Sequence, residues 1–302
     1  MNKLPLAAAA AIASVGVASA SAQTTAYLRF EEGPAGTGLT AVTGGPTNSV
    51  TVDEAGGDDN FRTFNAPATA DANYDTSPLY STNVPFAVVP QTGAANNFSL
   101  DFGNGDNDDI YMVDTSSPLG STFDDGNTFT IEASINTRAT GAYDTFIGRD
   151  DFAGLADNGP GALFYLQNRA DTNTFAFIAT QKDGTEVRID ALQETVANQW
   201  YNIAIVGDGT NATLYVDGVA QGSAAFSGLY DVPAANLVDS GWTIGRGFYD
   251  NNVTDWMDGF VDEVRFSNVA LDPSQLLAAP VPEPASLTLA AGLGLLALRR
   301  RR

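Results

Sequence analysis

Hydrophobic and polar residues alternate along residues 128–137, TFTIEASINT. The apolar residues of this run occupy every second position: Phe129, Ile131, Ala133 and Ile135. Glu132 and its polar neighbours fill the positions between them. Because successive side chains of a β-strand point to opposite faces, the pattern predicts a half-buried strand with its apolar face on a core.

Short runs of the same kind recur along the chain, rich in Phe, Ile, Val, Tyr and Thr and separated by Gly, Asn, Asp and Pro. The predicted strands span 26–32, 98–102, 110–114, 128–137, 144–149, 162–168, 174–181, 186–192, 199–208, 213–222, 242–246 and 259–267. The sequences DGT at 183–185 and DGTN at 208–211 predict hairpin turns. This pattern indicates an all-β protein of antiparallel strands, a sandwich or a barrel.

Helical periodicity is nearly absent, and we expect one helical turn at 272–278, DPSQLLA. Asp272 would cap this turn and Pro273 would take its first position. Residues 40–97 differ from the rest because they are rich in Ala, Thr, Asn, Gly and Pro. We expect a loop-rich excursion there, with short strands near FRTFNA and FAVVP.

The N-terminus has the features of a secretory signal peptide spanning 1–22. One lysine precedes an apolar run at 4–17, and small residues at 20–22 form a cleavage site, so the processed chain would begin at Gln23. The alternative is a first transmembrane helix, but the run is shorter than the ~20 apolar residues that a span needs.

The charge of the chain excludes some classes of function. It has 14 Lys and Arg against 36 Asp and Glu, a net charge of −22. Nucleic-acid binding requires Lys and Arg to neutralise phosphates, so it is not expected. The chain also lacks Cys and His, which excludes disulfides, zinc sites of the usual ligand types and Ser-His-Asp or Cys-His nucleophiles.

Several motifs, in order, resemble those of laminin G-like, concanavalin A-like jelly-roll domains. They are SLDFGNGDNDDIYMVDTSSPL with FTIEASINT, then QWYNIAIVGDGTNATLYVDGVAQG, WTIGR and MDGFVDEVRFSNVAL. The resemblance covers 98–278, and AYLRFEEG supplies a first strand. It implies an antiparallel two-sheet jelly-roll sandwich over 23–278 with its first and last strands adjacent, and it makes Trp200 a core residue. Lectins, adhesive modules and some glycoside hydrolases share this fold, so fold alone does not settle function.

The C-terminal segment 279–302 resembles the PEP-CTERM sorting signal of Gram-negative bacteria. It has a Pro-Glu-Pro motif, an apolar stretch at 285–298 and an arginine cluster: Pro282, Glu283, Pro284, Arg299, Arg300, Arg301 and Arg302. The resemblance implies processing by an exosortase, and the arginines would hold the end of a transient transmembrane segment on the cytoplasmic side. The alternative is a permanent tail anchor.

Three acids are candidates for a structural Ca²⁺ site. In relatives on this fold, an acid after the first strand and an aspartate of the last strand often hold Ca²⁺, which implies Glu31 or Glu32 together with Asp262. Carboxylates and backbone carbonyls supply the hard oxygens that Ca²⁺ prefers. The alternative is a set of exposed strand acids. GNGDNDD at 103–109 lacks the EF-hand order of acids and favours a solvated turn.

The loop GRGFYDNNVTDWMDG suggests a ligand site. Tyr249 and Trp256 are aromatic residues among polar ones, where a core aromatic is not expected. Exposed rings stack on sugar faces while carboxylates and amides bond hydroxyls, so Arg246 and Asp250 would accompany them. The alternative is that both rings cover the edge of the sandwich.

No strand carries the acid-x-acid series that glycoside hydrolases of this fold use, so we expect no catalysis. The sequence therefore predicts a secreted, non-catalytic carbohydrate-binding or adhesive module, with polysaccharide or glycoconjugate as its partner. Sorting would take it to the cell envelope or extracellular matrix of a Gram-negative bacterium after transient inner-membrane anchoring. The alternatives are a structural envelope protein without a small ligand and a divergent polysaccharide hydrolase or lyase.

Overall fold

A computed structural model describes residues 24–39, 51–56, 61–62, 78–103, 110–112, 127–150, 162–230, 241–249 and 252–280. The predicted signal peptide and the Pro-Glu-Pro, apolar and arginine segments lie outside these residues, as do residues 104–109 and Asp250. In the part of the chain that the structure describes, no helix is long and apolar enough to cross a membrane.

The described residues form short strands joined by turns and loops. They are β1 (Thr24–Leu28), β2 (Phe61–Arg62), β3 (Leu79–Ser81), β4 (Ser99–Phe102), β5 (Ile110–Met112), β6 (Thr128–Thr137), β7 (Asp144–Asp150), β8 (Ala162–Asn168), β9 (Thr174–Thr180), β10 (Glu186–Glu194), β11 (Tyr201–Asp208), β12 (Asn211–Val216), β13 (Val219–Ala225), β14 (Trp242–Ile244), β15 (Gly247–Tyr249), β16 (Asn252–Thr254) and β17 (Gly259–Ser267).

Two antiparallel sheets contain all but the small β15–β16 ribbon. Sheet A has the order β13-β12-β11-β6-β17-β4-β3, with β1 also paired to β17. Sheet B has the order β10-β9-β8-β7-β14-β5-β2. The first strand lies beside the last, with Thr24 opposite Ser267 and Leu28 opposite Val264. This confirms the predicted all-β jelly-roll sandwich.

Aromatic side chains fill the space between the sheets. Trp242 of β14 is fully buried, and its ring lies 5.0 Å from Phe164 of β8 and 5.3 Å from Phe266 of β17. Both contacts are edge-to-face, an arrangement that aromatic quadrupoles favour. Trp242 thus joins sheet B to sheet A. Trp200, expected in the core, is only half-buried, and its indole N–H donates to Asn83 Oδ1 at 3.1 Å.

The prediction that β6 is half-buried is wrong, because both of its faces are covered. Glu132, on the polar face, is 0% exposed. The chain after β17 crosses this outer face of sheet A: Thr130 Oγ1 donates to Val269 O at 2.8 Å, and Leu277 N donates to Glu132 Oε2 at 2.8 Å. A strand pattern alone cannot show that a later segment will cover its polar side.

The turns follow their sequences closely. The 3₁₀ turn Pro273–Gln275 has Asp272 as its N-cap with a complete capping box. The run 213–222, predicted as one strand, is a hairpin instead, because Asp217 and Gly218 both have positive φ, 51° and 74°. An Asp-Gly pair with two left-handed residues closes a two-residue hairpin.

In the loop-rich excursion at 40–97, β2 confirms a strand at FRTFNA, whereas FAVVP forms only an isolated bridge at Val88.

Candidate functional site

A groove with a volume of about 400 Å³ opens on the outer face of sheet B. Its floor is formed by Tyr165 and Gln167 of β8 and by Ile178 of β9. On β8 these side chains alternate with Phe164 and Leu166, which belong to the core between the sheets. The period of two along the strand therefore places the floor residues on the face directed away from sheet A.

The β15–β16 hairpin forms one side of the groove. After β14 the chain reverses at Gly245, φ 93°, and returns over the outer face of the same sheet. The Tyr165 hydroxyl donates to Phe248 O, and Thr145 N donates to Asp255 O at 3.0 Å. These bonds fix the hairpin on β7 and β8. They place Tyr249, which is 54% exposed, at the groove.

Gly247 allows the close approach of this hairpin to the floor. A Cβ at this position would lie 2.7 Å from Tyr165 Cε1 and 2.8 Å from Thr145 Oγ1. Distances below 3.0 Å require something to shift, so a side chain at this position would displace the hairpin or the Tyr165 ring beneath it. The position of Tyr249 over the groove therefore depends on a glycine two residues earlier.

Tyr143 and Arg169 form another part of the wall. Tyr143 is 39% exposed, and the Arg169 guanidinium lies 4.6 Å from the centroid of its ring. Such a cation–π contact holds the ring in place. Arg169 also donates through Nε and Nη2 to the two oxygens of Asp171, at 3.1 and 3.2 Å.

Arg188 of β10 extends the ion pair of Arg169 and Asp171 into a chain of alternating positive and negative side chains at this wall. Its guanidinium binds Asp190 at 2.8 Å and Asp171 at 3.3 Å. Hydrogen bonds from Arg169, with the charges of both arginines, lower the pKa of Asp171 to about 2. Each groove arginine is therefore already matched by an aspartate of the protein.

Gln167 contributes a buried donor to the floor. Its side chain is 0% exposed, and its Oε1 accepts a hydrogen bond from Arg169 Nη1 at 3.2 Å. Its Nε2 has no hydrogen-bond partner among the described residues. Buried polar groups are nearly always hydrogen-bonded, so this amide is a donor that a ligand or a water molecule in the groove would satisfy.

Two carboxylates in the lining are not matched in this way. Asp255, at φ 53°, and Glu186 of β10 both border the groove, and no ion pair joins either one to a cation of the described residues. Burial raises the pKa of Asp255, although the Arg169 charge acts in the opposite direction. The carboxylates can accept hydrogen bonds from hydroxyl groups of a ligand.

The predicted ligand residues separate in the structure. Tyr249 lines the groove, whereas Trp256 is half-buried and is not among the lining residues. Arg246 is 0% exposed and forms a bidentate ion pair with Asp150: Nη1 donates to Oδ1 at 2.8 Å and Nη2 to Oδ2 at 3.0 Å. Its guanidinium therefore stabilises the buried Asp150 carboxylate, and Arg246 is not among the lining residues of the groove. Asp250 lies outside the described residues.

Most of the lining comes from residues that the sequence analysis did not single out. Tyr165 and Gln167 occupy strand positions whose outward direction follows from alternation with Phe164 and Leu166. That alternation could have identified the face. It could not have shown that the hairpin folds back over it.

Of the predicted calcium residues, Glu31 and Glu32 lie just after the C-terminal end of β1, and Asp262 lies on β17. Glu31 accepts hydrogen bonds from Asn97 N at 2.8 Å and Asn97 Nδ2 at 2.9 Å. Asp262 Oδ2 accepts from Asn96 Nδ2 at 2.8 Å, and the Asn96 Oδ1 is buried without a partner. Glu31 and Asp262 are therefore linked through neighbouring residues.

Glu32 lies apart from this pair, because its Oε1 accepts from Thr51 Oγ1 and Val52 N. Burial, together with the Glu263 charge, raises the pKa of Asp262 well above its usual range. Among the residues that the structure describes, no group of three or more acids is arranged to hold a metal. The calcium site stays a prediction, and Glu31 is the better placed of the two N-terminal candidates.

Comparison with known proteins identifies the family. A laminin G-type family model, described as the concanavalin A-like lectin/glucanases superfamily, matches residues 104–277, more than half of the chain. The chain belongs to this superfamily. The jelly-roll resemblance seen in the motifs of 98–278 is thereby confirmed. No curated protein matches the sequence.

Solved structures with a similar fold include two toxin binding domains. The binding domain of Paraclostridial Mosquitocidal Protein 1 superposes with a TM-score of 0.52 at 13% identity, covering 85% of this chain and 51% of that one. The binding domain of botulinum neurotoxin serotype G gives 0.51 at 11% identity, covering 84% and 50%. This superfamily member spans about half the length of both structures. At these identities the likeness concerns the fold alone.

Proposed function

We propose that this concanavalin A-like protein binds polysaccharide or glycoconjugate in the sheet B groove and does not cleave it. The observation that carries the proposal is a pair of exposed tyrosine rings, Tyr143 and Tyr249, beside polar groups of the same groove. Sugar rings present C–H faces that stack on aromatic rings, while their hydroxyls bond to carboxylates and amides.

The two outer faces of the sandwich differ in a way that favours sheet B. On sheet A, residues 269–279 cross the outer face and are bonded to Thr130 and Glu132. On sheet B the outer face carries the groove. The superfamily description includes both lectins and glucanases, which supports a saccharide as the ligand class.

Binding without cleavage is the second part of the proposal. Glu186 and Asp255 are the carboxylates of the lining without an ion pair to the described residues. Glu186 belongs to β10, two strand spacings or about 10 Å from β8, whereas the Asp255 backbone is bonded to β7. A retaining glycosidase needs its two carboxyl groups ~5–5.5 Å apart and an inverting one ~6.5–9.5 Å, both less than the spacing of about 14 Å between β10 and β7, which are three strands apart. Release of new reducing ends from a bound polysaccharide would contradict this part.

We also propose that the protein acts outside the cell. The predicted signal peptide at 1–22 and the resemblance of the Pro282–Pro284 motif with its arginine cluster to a sorting signal support export, exosortase processing and delivery to the envelope or matrix. Mass spectrometry of protein recovered from culture tests this: the expected species begins at Gln23 and lacks Arg299 to Arg302. Extracellular protein that retains those arginines would contradict the processing step.

Calcium is proposed to support the rim of the sandwich. The ligand atoms are of the right kind, because Asp262 and Glu31 offer carboxylate oxygens and the buried amide oxygen of Asn96, Oδ1, has no partner. A bound Ca²⁺ would supply a positive charge to the buried Asp262 carboxylate and join the end of β1 to β17.

A glycan array followed by titration tests the main proposal. We expect the protein purified without its terminal segments to retain a defined set of polysaccharides, and Tyr249→Ala to weaken that binding at least about tenfold through loss of stacking. Trp256→Ala is the matched control, because this half-buried aromatic lies outside the lining. Equal losses in both variants, or no glycan bound at all, would contradict the proposed groove.

A further inference from the structure

The amide of Gln167 has a fixed orientation at the floor of the groove. Arginine has only donors, so Arg169 Nη1 requires an acceptor, and it receives one from Gln167 Oε1 at 3.2 Å. The amide NH₂ is then on the other side of the group, where it has no partner among the described residues. The side chain is 0% exposed. Because Gln167 lines the groove, a ligand with an acceptor oxygen would satisfy this donor.

The charges around that donor are unequal. Arg169 and Arg188 are paired with Asp171 and Asp190 at 2.8 to 3.3 Å, so their positive charges are already compensated. Asp255 and Glu186 are not paired with a cation of the described residues. The groove thus carries an excess of negative charge, within a chain whose net charge is −22. Like charges brought together in a partly desolvated site disfavour binding.

An ammonium group would find carboxylates here, but it has no acceptor for Gln167. A carboxylate or sulfate would satisfy Gln167, but it would meet the unpaired negative charge of Asp255. A hydroxyl or ring oxygen satisfies both, because it accepts from the amide while neighbouring hydroxyls donate to the carboxylates.

We infer that the groove takes an uncharged sugar unit, which offers an oxygen to the Gln167 amide, and that it rejects acidic sugars. This inference rests on the proposed glycan-binding function and specifies its ligand class.

The test is a charge series of oligosaccharides. Hexamers of gluco, galacto and manno configuration are compared by calorimetry, each as the neutral sugar, as its uronate and as its 2-amino sugar, at low and high salt. We expect the best neutral hexamer to bind at least about tenfold more tightly than its uronate, and at least as tightly as its amino counterpart, in which an ammonium group replaces one hydroxyl. We expect salt to change the neutral affinity little, since screening acts on charges.

Two substitutions connect the preference to named groups. Asp255→Asn should raise affinity for the uronate at least about threefold and reduce discrimination; asparagine tolerates the positive φ of this position. Gln167→Met should weaken neutral binding about tenfold, since it removes the donor. Gln193→Met, on the exposed end of β10, is the matched control and should change neither binding nor the melting temperature.

If Gln167→Met does not fold, Gln167→Glu replaces it, since glutamate keeps an oxygen for Arg169 but lacks the NH₂ donor. Neutral affinity that is unchanged in the folded variant would overturn the role of Gln167. Preference for a uronate or an amino sugar, abolished by Tyr249→Ala, would overturn the charge inference while the groove proposal stands. Failure of every hexamer to bind would overturn both.

Discussion

Arg265 on β17 and Glu132 on β6 lie opposite each other on the outer face of sheet A, and their side chains form an ion pair whose carboxylate is fully buried. Arg265 Nε donates to Glu132 Oε1 at 2.7 Å, and Leu277 N donates to Oε2 at 2.8 Å. Arg265 Nη2 also donates to Gln275 O at 2.9 Å. One carboxylate therefore joins two central strands to the segment that covers them.

Glu132→Ala should destabilise the sandwich strongly. It leaves Arg265 without its carboxylate and Leu277 N without its acceptor, and removal of one partner of a buried pair typically costs about 3–5 kcal/mol. We expect the free energy of unfolding, measured with denaturant, to fall by about that amount. Glu194→Ala, at the exposed end of β10, is the control and should change it by less than about 0.5 kcal/mol. Similar effects of the two substitutions would contradict the structural role of Glu132.

The stability should depend on pH through Asp144. Burial, with the Asp258 and Asp255 charges, raises the pKa of this carboxyl from 3.8 to about 6. Between these values the folded protein keeps a proton that the unfolded chain releases. Stability therefore falls as pH rises through this window and loses no more from Asp144 above it. The shift corresponds to about 3 kcal/mol at neutral pH.

Asp144→Asn removes this titration and keeps an oxygen for the bond from Asp258 N, which is 3.3 Å long. We expect the variant to gain stability over the wild type as pH rises from about 4 to 7, in unfolding curves recorded at each pH. A difference between the two proteins that does not change with pH would show that Asp144 titrates normally.

Chelation should lower the melting temperature if calcium binds beside Asp262. A ligand that binds only the folded state stabilises it by mass action, so EDTA should lower the melting temperature and added Ca²⁺ should restore it. Asp262→Asn should remove the response to EDTA, whereas Asp183→Asn, in an exposed turn, should leave it intact. A melting temperature that EDTA does not change would remove the calcium proposal.

Gly247→Ala should affect ligand binding more than stability. The new Cβ would lie 2.7 Å from Tyr165 Cε1, so the hairpin or the Tyr165 ring must shift, and either movement changes the position of Tyr249 relative to the floor. We expect glycan affinity to fall at least about tenfold, a loss of about 1.4 kcal/mol. Gly218→Ala, in the β12–β13 turn of sheet A, is the control: a Cβ there meets nothing within 4 Å, but its φ of 74° strains alanine, so stability should fall while glycan affinity stays unchanged. Unchanged glycan affinity in a folded Gly247→Ala protein would show that the position of the hairpin does not matter for ligand binding.

The strands were largely predictable because each contains its own signal. The runs 128–137, 162–168 and 259–267 match β6, β8 and β17 residue for residue. The alternation of apolar and polar residues indicates which side chains share a face, and the Asp-Gly pairs indicate turns. Asp272 and Pro273 gave the 3₁₀ turn for the same reason, since capping depends on neighbours in sequence.

The rest depends on contacts between distant segments. Burial of Glu132 requires residues 269–279 to cross sheet A, and no local pattern at β6 shows this. An aromatic residue among polar ones, such as Tyr249, is conspicuous in the sequence, whereas Gln167 resembles any strand glutamine. Its unpartnered NH₂ group can be recognised only from the structure, where Arg169 occupies the amide oxygen.

A crystal structure of the protein with its tightest-binding oligosaccharide tests the central claim most directly. The account predicts an uncharged sugar ring in the sheet B groove, in contact with the ring of Tyr249 and within hydrogen-bond distance of Gln167 Nε2. A sugar bound elsewhere, with the groove unoccupied by ligand, would contradict it.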